Sequence, residues 1–158
     1  MLTRWYGFFG WLWSLPAALV VFLFYIGPLW LFRQYRFIRR YGWVLEFEVV
    51  PDSWVRRKFW DKWAGVCCVS MIVYRSEYKD NERTVLHERQ HAVQNFYGGI
   101  FHWMLYLGHS VFIFIFQKDK HAYADNWFER DARRAAGQKV DLTRDEWYWG
   151  PDDRWPWW

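Results

Sequence analysis

Apolar and polar positions fall in blocks along this chain, and the first apolar block is the longest. From Trp5 to Phe32, 28 residues carry no formal charge. A membrane-spanning helix needs about 20 residues. The stretch therefore predicts one crossing, being too long for a signal-peptide core and too short for two spans. Pro16, Gly27 and Pro28 lie inside it and predict a kink or an early exit near Gly27. Arg33, Arg36, Arg39 and Arg40 follow, against Arg4 and the amino terminus on the other flank. This asymmetry makes the four arginines the anchor's flank on lipid head groups. It predicts a single-pass membrane protein with its C-terminal body on the cytoplasmic side.

The pattern then shortens. Val44–Val50 alternates Leu45, Phe47 and Val49 with Glu46 and Glu48, the period of a half-buried strand, closed by Pro51. Ser53–Trp63 sets Trp54, Val55, Phe59, Trp60 and Trp63 among Arg56, Arg57, Lys58 and Lys62, which predicts a short amphipathic helix suited to an anionic surface. Val66–Tyr74 is an apolar, β-rich run that reads as one strand. Asn81 caps a helix from Glu82 to about Tyr97, stopped by Gly98 and Gly99. Ile100–Phe116 is apolar again, interrupted by His102, Gly108 and His109. A helix from about His121 to Ala136 precedes Gly137. The chain divides into an anchor (1–32), a basic juxtamembrane segment with a strand (33–63), a metal-binding domain including the apolar insert (64–140) and a Trp-rich tail (141–158). The class is α+β.

Composition sharpens this picture. Hydrophobic residues make up 53% and Trp alone contributes 15 residues, so the chain has ample surface to bury and is not disordered. Trp and Tyr in such number suit the membrane–water interface. The two cysteines, Cys67 and Cys68, are adjacent, which excludes a disulfide scaffold and any Cys-x-x-Cys site; they read as buried strand residues. The net charge of +4 is carried by residues 33–63, with eight Lys/Arg against four Asp/Glu, whereas residues 117–158 carry eight against nine. A basic excess directly after an apolar block points to phospholipid and away from nucleic acid. In the tail, Trp147, Trp149, Trp155, Trp157 and Trp158 suit head groups, an assembly partner or the protein's own surface, and Asp141–Glu146 opposes anionic lipid.

One constellation carries chemistry. His87-Glu88-Arg89-Gln90-His91 is an H-E-x-x-H motif. On a helix, positions i and i+4 share a face, so His87 and His91 present two imidazole nitrogens to one zinc ion. Glu88 is then placed as general base toward a zinc-activated water. A catalytic zinc needs a third protein ligand. The candidates are His102, His109, His121, Asp125, Glu129 and Asp131. Glu129 stands out, because Ala132, Ala135 and Ala136 after it allow close helix packing. His102 and His109 read better as satisfied core or interfacial residues.

The Val66–Tyr74 run, the H-E-x-x-H helix followed by Gln94 and Gly98, Tyr123, and Asn126-Trp127-Phe128-Glu129-Arg130-Asp131-Ala132 together resemble the minimal gluzincins. These are small metallopeptidases with H-E-x-x-H and a downstream Glu. The resemblance covers about residues 60–136. It implies a zincin-like domain, with a short sheet, an H-E-x-x-H helix and a Glu-bearing helix. It implies His87, His91 and Glu129 as zinc ligands and Glu88 as base. It also implies an edge strand, around Val69, Ser70, Met71 and Ile72, that pairs with an extended peptide. Tyr123 or His121 would stabilise the oxyanion. The N-terminal span and the aromatic 100–116 insert depart from the pattern.

These elements constrain each other. As a helix, Ile100–Phe116 rises about 25 Å. Were it to cross the bilayer, Glu129 would lie on the opposite side from His91. The sequence therefore predicts a non-crossing insert that folds back at Gly108. The expected function is a membrane-anchored zinc metallopeptidase acting on peptides or membrane proteins near the cytoplasmic face. The alternative is a non-catalytic structural or interaction subunit of a larger assembly, with any zinc structural. A membrane-disrupting role would leave H-E-x-x-H an accident.

Overall fold

A computed structural model describes residues 5–60 and 63–143. Four strands, β1 (Tyr35–Tyr41), β2 (Val44–Val49), β3 (Gly65–Cys68) and β4 (Met71–Arg75), form one sheet in the order β1-β2-β4-β3. β1 with β2 and β3 with β4 are antiparallel, whereas β2 and β4 are parallel. The helices are α1 (Trp5–Val21), α2 (Gly27–Leu31), α3 (Trp54–Phe59), α4 (Glu82–Gly98), α5 (His102–Phe116) and α6 (Trp127–Ala135). The chain is α+β, as the pattern predicted. The Trp-rich end of the tail, from residue 144, lies outside the described residues, as do Asp61 and Lys62.

The N-terminal apolar block is one long helical stretch. A π-helical turn, Phe22–Ile26, joins α1 to α2, with the Gly27 N–H bonded to the Phe22 carbonyl. Pro28 has no N–H to give and its ring would strike the carbonyl one turn back, so the wider turn takes up the misfit. One side of this stretch packs on the sheet: Ala18 and Ile26 are buried with Tyr35, Phe47, Val49, Val55, Trp60, Met71 and Val73. The opposite sheet face is covered by α4, through Val85, Ala92 and Phe96 against Val44, Ile72 and Tyr74. Among the described residues, two helical stretches, Gly7–Leu31 and Glu82–Phe116, are by length and composition long and apolar enough to cross a membrane.

Several expectations change. The Val66–Tyr74 run is a hairpin, not one strand, because Val69 turns the chain with φ 63 beside Ser70. A β-branched residue in that region is rare, so the turn carried no sequence signal. Met71 and Ile72 lie on the central strand β4, paired on both sides. They cannot receive a peptide strand, and Val69 and Ser70 form the turn. The edge is β3. Glu46 and Glu48 were placed on a solvated face but are 0% and 2% exposed. The arginines explain this: residues 35–41 are a strand, not a loose flank. Arg36 pairs with Glu48, and Arg39 with Glu46 and Asp80. Arg40 lies over the Trp43 ring, which leaves Arg33 at the exposed end of α2.

The 53–63 helix is shorter, Trp54–Phe59, and half-sunk, with Val55 and Trp60 in the core. α5 runs unbroken through Gly108. The chain bends before it, at Gly99, whose φ of 53 and close approach to the Trp13 indole both exclude a side chain. It returns after Phe116, through turns ending at Asn126, which caps α6 by accepting from the Phe128 N–H. Glu129 thereby comes back beside α5.

Candidate metal centre

α4 carries His87, Glu88 and His91, and α6 packs antiparallel across it. The sequence folds this way locally for plain reasons. Asn81 Oδ1 accepts from the Thr84 N–H and starts α4. Ala92, Ala132 and Ala136 are buried small residues that permit close packing. Glu129 Oε1 lies 3.3 Å from His91 Nε2, and Oε2 lies 3.3 Å from His87 Nε2. The two Nε2 atoms face each other at 3.2 Å. His87, His91 and Glu129 thus form one group able to hold a metal ion.

The tautomers decide what this geometry wants. Gln94 Nε2 donates to Asp131 Oδ2 at 2.8 Å and to the Phe128 carbonyl at 3.0 Å. That fixes its amide, so Gln94 Oε1 faces His91 Nδ1 at 2.8 Å. An amide oxygen only accepts, hence Nδ1 carries a proton and Nε2 is the nitrogen left to ligate once it is deprotonated. Gln138 Oε1 stands 3.1 Å from His87 Nδ1. Two ring nitrogens 3.2 Å apart, each 3.3 Å from a Glu129 oxygen, form a set that can hold a cation. Tetrahedral ligands at about 2.0–2.1 Å from zinc sit about 3.3 Å apart, the spacing found here. Gln94, itself held by Asp131, and Gln138 meet the far nitrogens of the two imidazoles, the place that outer partners of metal-bound histidines take.

Electrostatics agree. Burial pushes Glu129 up, but His91 and His87 beside it outweigh that and hold it well below the usual carboxylate range. Burial lowers His91, but Glu129 overrides it and pushes the imidazole up to about 9. Glu88 is raised: its burial prevails over the two histidines, and Glu129 adds repulsion. A pH dependence follows. Without metal, His91 holds a proton below about pH 9, and that proton must leave before Nε2 can ligate. Metal affinity should therefore rise about tenfold per pH unit from 6 toward 9. Competition against a chromophoric chelator measures it, and a flat profile would exclude His91 as a ligand.

A cavity of about 290 Å³ opens beside the group, lined among others by Trp63, Val66, His102, Trp103, Tyr106 and Tyr123. Glu88 borders it and is held from behind by the Cys67 backbone N–H of edge strand β3. Tyr106 donates to Glu129 Oε1 at 2.7 Å. Tyr123 is brought to the cavity, whereas His121 is not: its Nδ1 accepts the Tyr123 and Ala124 N–H groups in the turn before α6. His102 reaches the cavity wall. His109 accepts the Trp127 N–H at 3.1 Å, at the start of α6. Tyr106, Gln138 and Gly65 escaped the sequence reading. Gln138 lies 51 positions from its partner, and no local pattern marks it.

Comparison with protein-family models, curated proteins and solved structures gives no significant match.

Proposed function

We propose that the chain is a membrane-bound zinc metallopeptidase with a zincin-like arrangement of His87, His91 and Glu129 as ligands. The observation that carries it is the pair of Nε2 atoms facing each other at 3.2 Å beside Glu129, with Glu88 at the same cavity. Among the described residues the group has three ligand side chains, the number that catalytic zinc sites take from the protein. Bound zinc supplies a lowered water pKa and a polarised carbonyl. Glu88, raised by burial, takes the proton of the attacking water and returns it to the leaving amine. Tyr123 and Tyr106 line the same cavity and are the hydroxyls this reading assigns to the oxyanion. Edge strand β3 is the surface on which an extended peptide pairs.

The test is hydrolysis of fluorescent casein and a quenched-peptide library by the full chain in detergent. Glu88→Gln should lower turnover about 10²- to 10⁴-fold with metal content unchanged. Activity that survives this change would remove Glu88 from the mechanism. Gly65→Ala makes a second, geometric prediction. A Cβ there would lie 2.8 Å from Glu88 Cγ, so the carboxylate or β3 must shift. Turnover should fall on the order of 10-fold to 10²-fold, again with metal retained; an unaffected rate would show that β3 does not position Glu88.

A further inference from the structure

The two apolar helical stretches have unusual surfaces. α5 faces the protein with His102, Tyr106, His109, Ser110 and Ile113, a stripe at helical spacing that is mostly polar. His102 and Tyr106 line the cavity, and Ser110 accepts from Asn126 at 2.6 Å. Its outward side is Trp103, Met104, Leu105, Leu107, Val111, Phe112, Phe114, Ile115 and Phe116, all exposed. A helix in water shows the reverse order. The N-terminal stretch is also divided. Ser14, Ala18 and Ile26 are buried on its protein side, and Phe9, Leu12, Leu19, Val20, Leu23 and Phe24 are bare on the other. The two bare faces meet where Trp13 and Phe101 lie 6.4 Å apart between ring centres.

A patch of this extent exceeds what a water-exposed surface carries. A bilayer crossing conflicts with the packing. Ala18 and Ile26 are core partners of Phe47 and Val73, so a crossing helix would carry the sheet into hydrocarbon. An open sheet edge there leaves backbone groups without partners. Both helical stretches also lead into exposed cations, Arg33 after the first and Lys118 and Lys120 after α5, which suits a lipid surface.

We infer that the bare faces of α1, α2 and α5 form one lipid-embedded surface, so that the protein lies in one leaflet and its cavity opens at the bilayer surface. This replaces the single crossing expected from sequence. It rests on the membrane reading above, but not on hydrolysis. The substrates it implies are polypeptide segments lying in or entering the head-group layer.

The test uses the full chain with a tag at each end, reconstituted in vesicles containing anionic phospholipid. Vesicles captured through the C-terminal tag are probed for the N-terminal tag with an impermeant reagent. A carbene precursor dissolved in the lipid then maps the embedded residues. The expected result is an N-terminal tag accessible on the same vesicles, with carbene insertion in both 9–32 and 103–116. Protection of the N-terminal tag until detergent is added would restore the crossing and overturn the inference. So would labelling confined to 9–32, which shows an anchor with α5 in water. Cross-links between copies along 103–116 without lipid labelling would assign that face to a second copy, and would also overturn it. No arm reads peptidase activity, so failure here and failure of the proposed chemistry are separable.

Discussion

Full-length protein offered zinc in detergent should keep about one ion per chain, as three converging ligands require, and His91→Ala or Glu129→Ala should lose it. Three-ligand sharing sets the magnitude. Structural zinc sites bind with apparent free energies of about 10–16 kcal/mol. Removing one of three donors then costs on the order of 3–5 kcal/mol, or about 10²- to 10⁴-fold in affinity. Glu129→Ala is the more telling variant, because it tests a partner far along the chain from the motif. Its carboxylate lies 3.3 Å from each histidine Nε2, so it acts on both. Gln94→Ala should cost less, about 10- to 100-fold, since Gln94 orients the His91 ring and is not itself one of the three ligands. His102→Ala changes the cavity wall and should leave metal content intact. Retention of the ion in both His91→Ala and Glu129→Ala, measured by elemental analysis, would dismiss the site.

What was legible in the sequence is what is local. The motif, its helix and the Asn81 cap all lie within about five turns, where the 3.6-residue period carries the information. Glu129 was legible because its helix had small residues after it. The hairpin was not, because its turn uses Val69 and lacks glycine or asparagine. β1 was hidden for a different reason. Its arginines matched a membrane flank by position, and only the tertiary structure shows that Arg36 and Arg39 are bound by Glu48 and Glu46. The same blindness misplaced those glutamates. Alternation reports which residues share a face, and not whether a second layer of side chains covers it. A long apolar block likewise reports length and polarity, but not that one of its sides is committed to a sheet.

The buried carboxylate of Glu46 offers the largest stability effect in the sheet. It is 0% exposed and takes Arg39 Nε on one oxygen and Arg89 Nε on the other, each at 2.6 Å. Arg89 also lies over the Tyr41 ring at 3.7 Å. It is the residue after Glu88, so this pair ties the motif helix to β2. Breaking a buried pair leaves a partner charge uncompensated and costs about 3–5 kcal/mol. Both guanidiniums retain some solvent, at 37% and 19% exposure, so Glu46→Ala should fall at the lower end, about 3 kcal/mol. That is a large part of the roughly 5–15 kcal/mol that holds a domain folded. Urea unfolding of the detergent-solubilised chain measures it. The pairing also fixes the form of the double variant. If Glu46 acts by neutralising Arg89, then Arg89→Ala in the Glu46→Ala background should cost less than it does alone, because the stranded charge is gone. Strictly additive losses would mean that the two residues stabilise the sheet separately, and that α4 is held over β2 by its apolar contacts alone.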